Sequence, residues 1–373
     1  MKKIKNLLMF LALGAAITSC EKENLDQPST DANASSAKFA SELVLNPNTN
    51  KSSALETSEN IGDPMRNAVT PSECGPTQFS AVQRIYINQI IADPIALFEA
   101  QDGFYSLINR YYSWFLNDVP QYFGEDGKYT SLMVKRQREL KSFWDMPVEI
   151  KVNGQHTANL NDSDVWEETL TTFFGYTQED GSFVYITAEE AKEIADYYLS
   201  LNELSTNLPE NPYFATDGFA SSNRTVVIGD GLVRWLAEAG IDEGIVWSGI
   251  LAHEWAHQIQ FIKRPIWYPA GADPDAATAT RYTELEADFM AAYYMTHKRG
   301  ATYNQKRVEE FFNLFFQIGD CGFTSAGHHG TPLQRMAAAN LGFNLASQAQ
   351  KQGHILTQQE AHEYFVANIA SIL

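Results

Sequence analysis

Two histidines four residues apart, His253 and His257, lie inside an apolar run from Ile245 to Phe261, and this placement constrains the chain more than any other feature. The run has helical periodicity, so it reads as a helix with a buried surface. Residues four apart share a helix face, so both imidazoles can reach one ion. Glu254 points slightly to one side of them, where it can hold and deprotonate a water. Pro265 is expected to limit the helix at its far end.

A catalytic zinc takes three protein ligands and keeps one position open for water. The third ligand is expected from another element. Glu284-Leu285-Glu286-Ala287-Asp288 supplies it, 27 residues beyond His257 (284 minus 257). Glu284 and Asp288 share one face of a helix expected from Glu284 to Tyr294. That pairing suits Glu284 as metal ligand and Asp288 as the carboxylate that orients a ligand histidine. Ala287 is small enough to let two helices approach closely. Taken alone, the same five residues also read as an ordinary acidic helix start favoured by the helix dipole.

The sequence HExxH followed by ExxAD resembles the gluzincin peptidases, particularly the group with the CAAX-processing and HtpX-type proteases and the predicted neutral zinc metallopeptidases. Three further segments are similar in order: Asn211-Pro212-Tyr213-Phe214-Ala215, Val226-Val227-Ile228 with Gly231-Leu232-Val233, and His329-Gly330-Thr331-Pro332 with Gln334 and Arg335. The resemblance spans about residues 205 to 345 and omits the membrane helices of the integral-membrane members. It implies a zincin-like domain and one zinc ion on His253, His257 and Glu284, with Glu254 as general base in peptide-bond hydrolysis. His329 is the candidate donor to the tetrahedral intermediate, with Arg335 as its support or as a salt-bridge partner. By the same resemblance, the strand at Val226–Ile228 could take an extended peptide by strand addition; it also reads as a plain core strand.

The remaining chain sets the context. A formal charge of −19, from 27 basic and 46 acidic residues, disfavours nucleic acid as a partner. Lys2, Lys3 and Lys5, the apolar Leu7–Ala16 and then Ile17-Thr18-Ser19-Cys20 read as an export signal. Its end resembles the lipobox of bacterial lipoproteins, which implies a lipid on Cys20, a membrane anchor and a periplasmic or cell-surface location. Cys74 and Cys321 can form one disulfide in an oxidising compartment or remain two buried thiols. His156, His297, His354 and His362 lack ligand spacing, and Trp247 and Trp255 read as core residues.

The expected organisation is a signal peptide over 1–19, a flexible tether over 20–75, a helical subdomain over 76–204 and the metallopeptidase core over 205–373. The tether is rich in Ser, Thr, Asn, Asp, Glu and Pro and poor in large apolar residues. The fold class is α+β, mostly helical, with a small sheet beside the HExxH helix. Val148, Ile150 and Val152 alternate ahead of Asn153-Gly154, a hairpin signal, and Thr187 with Glu190 opens a helix over Ala188–Leu201 with capping-box spacing.

Two other readings compete with an active peptidase acting on peptide or protein. One is a non-catalytic, substrate-binding lipoprotein with a structural zinc. A water-activating glutamate argues against it, since structural sites need no base and tend to be closed four-ligand shells. The other is a peptidase held inactive by an N-terminal segment, for which no processing site is marked.

Overall fold

The computed structural model describes residues 43–47, 56–58, 77–268, 276–302, 305–318, 330–349 and 353–373. The expected signal peptide, Cys20, Cys74, Cys321 and His329 lie outside the described residues. In order, the elements are β1 (Val44–Leu45), α1 (Gln78–Ala92), α2 (Pro94–Asp102), α3 (Phe104–Tyr111), a π-helical turn at Tyr112–Leu116, α4 (Thr130–Phe143), β2 (Lys151–Gln155), α5 (Ser163–Phe173), β3 (Phe174–Thr177), β4 (Phe183–Tyr185) and α6 (Ala188–Leu204). Then follow β5 (Gly218–Ser221), β6 (Thr225–Gly229), α7 (Asp230–Glu238), α8 (Glu243–Trp267), α9 (Ala276–Thr296), α10 (Gln305–Ile318), α11 (Pro332–Ala349) and α12 (Gln358–Asn368). The chain is thus mostly helical α+β. Among the described residues, no helix is long and apolar enough to cross a membrane.

There are two small sheets. One has the order β1-β3-β4 and is antiparallel. The other has the order β2-β6-β5, with β2 parallel and β5 antiparallel to β6. Strand β2 comes from residues 76–204 and β6 from residues 205–373, so one sheet joins the two stretches. Two pieces of the expected tether also lie against the fold: β1 pairs with β3, and Thr57 bridges to Ser221.

Three expectations are corrected here. Asn153-Gly154 is not a hairpin turn; it lies inside β2, paired with Val227 and Ile228. Gly154 is required by close approach, since a Cβ there would sit 2.6 Å from His156 Nε2 and 2.8 Å from the Tyr122 carbonyl. Asn153 donates to the Ser113 carbonyl at 2.6 Å, so its polar side chain is anchored within the fold. Val226–Ile228 is the central strand of its sheet and has no free edge for a peptide. Finally, α8 runs two residues past Pro265, and it ends when the Tyr268 N–H reaches the Arg264 carbonyl.

The helix over Ala188–Leu204 has both capping-box hydrogen bonds, from Thr187 and Glu190. Helix α8 starts where the Asp242 carboxylate accepts the Ile245 N–H at 3.1 Å. Every residue from Ile245 to Gln260 is buried, because α8 is covered by α9, α10, α4, α7 and the β5–β6 hairpin. Trp247 and Trp255 are core residues, at 0% and 1% exposure. Gln258 donates to the carbonyls of Ser221 and Thr225 at 3.0 Å, which ties α8 to that hairpin. Helices α9 and α11 meet at Gly342, where a Cβ would lie 2.2 Å from the Phe289 carbonyl. Only a glycine permits that approach.

Candidate metal centre

Helix α8 presents His253, Glu254 and His257 in its buried middle, and α9 brings Glu284 against them. His253 Nε2 lies 3.3 Å from Glu284 Oε2, and His257 Nε2 lies 3.2 Å from Glu284 Oε1. The two Nε2 atoms are 3.1 Å apart. All three side chains are buried, and one ligand atom from each lies within 4.8 Å of the others.

The outer partners determine what those atoms present. His253 Nδ1 is 2.9 Å from Asp288 Oδ1, and a carboxylate can only accept, so this neighbour favours a proton on Nδ1. His257 Nδ1 is 2.7 Å from Gln260 Oε1. Gln260 is oriented without ambiguity, because its Nε2 donates to the Thr283 carbonyl at 2.9 Å and to Glu286 Oε2 at 3.0 Å. Both imidazoles therefore turn Nε2 toward the Glu284 oxygens, and when both rings are neutral these are lone pairs. Acceptors gathered in a buried space repel one another unless a cation lies among them.

Two acidic side chains strengthen that demand for positive charge. Burial works against the imidazolium of His253, but the hydrogen bonds and charges of Asp288 and Glu284 outweigh it and hold its pKa up at about 9. Arg335, fully buried on α11, grips Asp288 with two 2.6 Å bonds, Nε to Oδ2 and Nη2 to Oδ1. The Gly342 contact lets α11 come close enough to α9 for this grip. Arg335 Nη2 also lies 3.8 Å from Glu284 Oε2. A chain of contacts runs from α11 through Arg335 and Asp288 to His253.

Glu254 is fully buried beside the histidines. Burial raises its pKa, the charges of His253 and His257 oppose the rise, and Glu284 adds to it. Its Oε2 accepts a hydrogen bond from Ser58 Oγ at 2.9 Å, whereas Oε1 has no hydrogen-bond partner among the described residues. A cavity of about 240 Å³ opens beside Ser58 and His257, lined also by Thr57, Phe261, Tyr268 and Glu284.

Six expected residues therefore meet at one place: His253, Glu254, His257, Glu284, Asp288 and Arg335. Four others belong to the site and had not been expected. Gln260 follows His257 by three residues, and that helix-face spacing was the available signal. Glu286 accepts from Gln260 and from the Tyr268 hydroxyl, and its Oε1 lies 2.6 Å from His362 Nδ1. His362 is stacked on Trp267 at 4.2 Å. Ser58 lies 196 residues from Glu254 along the chain, so no local pattern points to it.

No family model, curated protein or solved structure matches the chain. The donor set itself fits a metal ion: two histidine nitrogens and one carboxylate, each histidine held by an outer partner, form a three-ligand site.

Proposed function

We propose that the chain is a zinc-dependent peptide hydrolase of the gluzincin type, with His253, His257 and Glu284 holding the metal and Glu254 as general base. The observation that carries the reading is Glu254 beside the three donors, buried, with Oε1 free of any hydrogen-bond partner among the described residues. A structural metal site has no use for such a residue. Bound zinc would supply an acidified water and polarise the scissile carbonyl.

In this reading each surrounding residue has a part in the reaction. Asp288 and Gln260 keep the Nδ1 protons on the ligand imidazoles, so that Nε2 stays a donor to the metal. Glu254 Oε1 takes a proton from the attacking water as the C–O bond forms. It then gives that proton to the amine nitrogen as the C–N bond breaks. A carboxylate whose pKa is raised by burial takes up the water proton more readily than an exposed one, and so holds it until the amine nitrogen can accept it. His329, from the sequence, is the proposed donor to the oxyanion. The export signal and the lipid on Cys20, also from the sequence, would hold this site outside the cytoplasm, where its substrates are peptides or proteins.

The test pairs metal content with cleavage of a peptide library. The purified chain should carry about one zinc, with cleavage that stops on chelation. Glu254→Gln should keep the zinc while losing about 10²- to 10⁴-fold in rate, the usual contribution of a general base. Full activity in Glu254→Gln would rule out the assigned mechanism.

A further inference from the structure

Beside the site, β5 is paired with β6 along one edge, and its other edge is taken by the chain's own Glu56–Ser58. The Ser58 N–H donates to the Ala220 carbonyl at 2.8 Å, and the Ser222 N–H donates to the Glu56 carbonyl at 2.7 Å. Thr57 stands opposite Ser221 in antiparallel register. The Glu56 N–H adds a bond to Ser222 Oγ at 2.9 Å, and the Glu56 carboxylate pairs with Arg264 on α8. Ser58 is buried, and its hydroxyl bridges two groups: it accepts from the Ala220 N–H at 2.7 Å and donates to Glu254 Oε2 at 2.9 Å.

We propose that Glu56–Ser58 is a built-in occupant of the place where substrate main chain would lie. It forms a strap that a peptide must displace before hydrolysis. The proposal rests on the peptidase reading above. Three observations carry it. The strap uses the main-chain donors and acceptors of β5 that an extended peptide would need to bind by strand addition. Its hydroxyl holds one oxygen of the base, so an oxygen atom already stands within hydrogen-bond reach of Glu254. Thr57 and Ser58 also form part of the wall of the cavity that contains His257 and Glu284.

The contact is of a displaceable kind. It consists of a few hydrogen bonds and one half-exposed ion pair, which are individually weak. An internal occupant competes with substrate by mass action, so it raises KM and leaves kcat unchanged at saturating substrate.

The test uses the full zinc-loaded chain and its Ser58→Pro variant, which loses both the Ser58 N–H and the hydroxyl. A milder Ser58→Ala variant loses the hydroxyl alone. Amide exchange at Ala220 and Ser222 should rise about tenfold or more in Ser58→Pro, with zinc content unchanged. For an unrelated peptide, KM should fall by a similar factor in Ser58→Pro, with Ser58→Ala between the two; KM is the readout, because losing the Ser58–Glu254 bond also alters kcat. A synthetic Glu-Thr-Ser peptide with blocked ends should restore protection of both amides. Equal exchange in native and Ser58→Pro chains overturns the strap, as does faster exchange with KM unmoved. If no chain cuts peptide, the hydrolase reading fails, and the exchange rates with the added peptide still decide whether the strap occupies β5.

Discussion

At the scale of single residues, the centre depends on which proton each partner fixes. Gln260 illustrates this: its amide is locked by Thr283 and Glu286, so its oxygen must face His257 Nδ1. Replacing it by Leu keeps the volume roughly and removes the acceptor. Gln260→Leu should weaken zinc binding by about 10- to 100-fold, the usual effect of losing a ligand's outer partner. Competition with a calibrated chelator would measure it, and an unchanged affinity would show that His257 needs no such support. The candidate ligand residues were legible because HExxH and ExxAD are local patterns on helices, where spacing fixes the shared face. Gln260 had the same kind of spacing, but amides are common on helices and give no chemical signal alone. Ser58 was illegible, because its partner is fixed only by the fold.

At the scale of elements, the sequence was most readable where the determinant is local. The capping box at Thr187 and Glu190 names its helix, and the apolar run names α8. Strand β2 misled because Asn-Gly usually marks a turn, whereas here Gly154 makes room for His156 and Tyr122 and Asn153 finds a buried acceptor. The parallel partner of β2 lies about 70 residues away, so periodicity could not reveal it. Pro265 misled in a smaller way. It marks the approach of the end of α8, and the last turn closes beyond it.

Helix α2 makes a further prediction at this scale. Glu99 is 2% exposed, and its Oε2 has no hydrogen-bond partner among the described residues. Burial, and then the charge of Asp102, raise its pKa from 4.5 to about 7. The folded state thus binds this proton more tightly than the unfolded state does. No penalty exists below pH 4.5, where both states are protonated. Stability then falls as pH rises from about 4.5 to 7, and the full loss remains above that window. The loss is about 3 kcal/mol at most, from the size of the shift. Glu99→Gln should flatten this part of the stability profile and unfold at higher denaturant than the native chain at pH 8. Denaturant titrations at pH 5 and pH 8 would decide, and parallel profiles for the two chains would contradict it.

At the scale of the whole molecule, the question is whether the fold depends on the proposed metal. The larger core joins α1, α4, α7, α8, α9, α11 and α12 around Trp235, Trp247 and Trp255, so α8 is held by apolar contacts on all sides. The metal centre is a polar inclusion in that core, not its organising element. Zinc that binds only the folded chain stabilises it by mass action, about 2.7 kcal/mol at a free concentration one hundred times Kd. For a chain of this size that amounts to a rise in Tm of roughly 3–5 °C. The stripped chain should therefore melt lower by about that amount, yet remain cooperatively folded at 25 °C. Restored zinc should recover the full Tm. Unfolding on chelation would assign the ion a structural role and favour the non-catalytic reading. An unchanged Tm in a chain shown to have lost its zinc would mean that the ion had not been held by His253, His257 and Glu284. The intermediate outcome is the one expected of an open hydrolytic site set into a self-sufficient core.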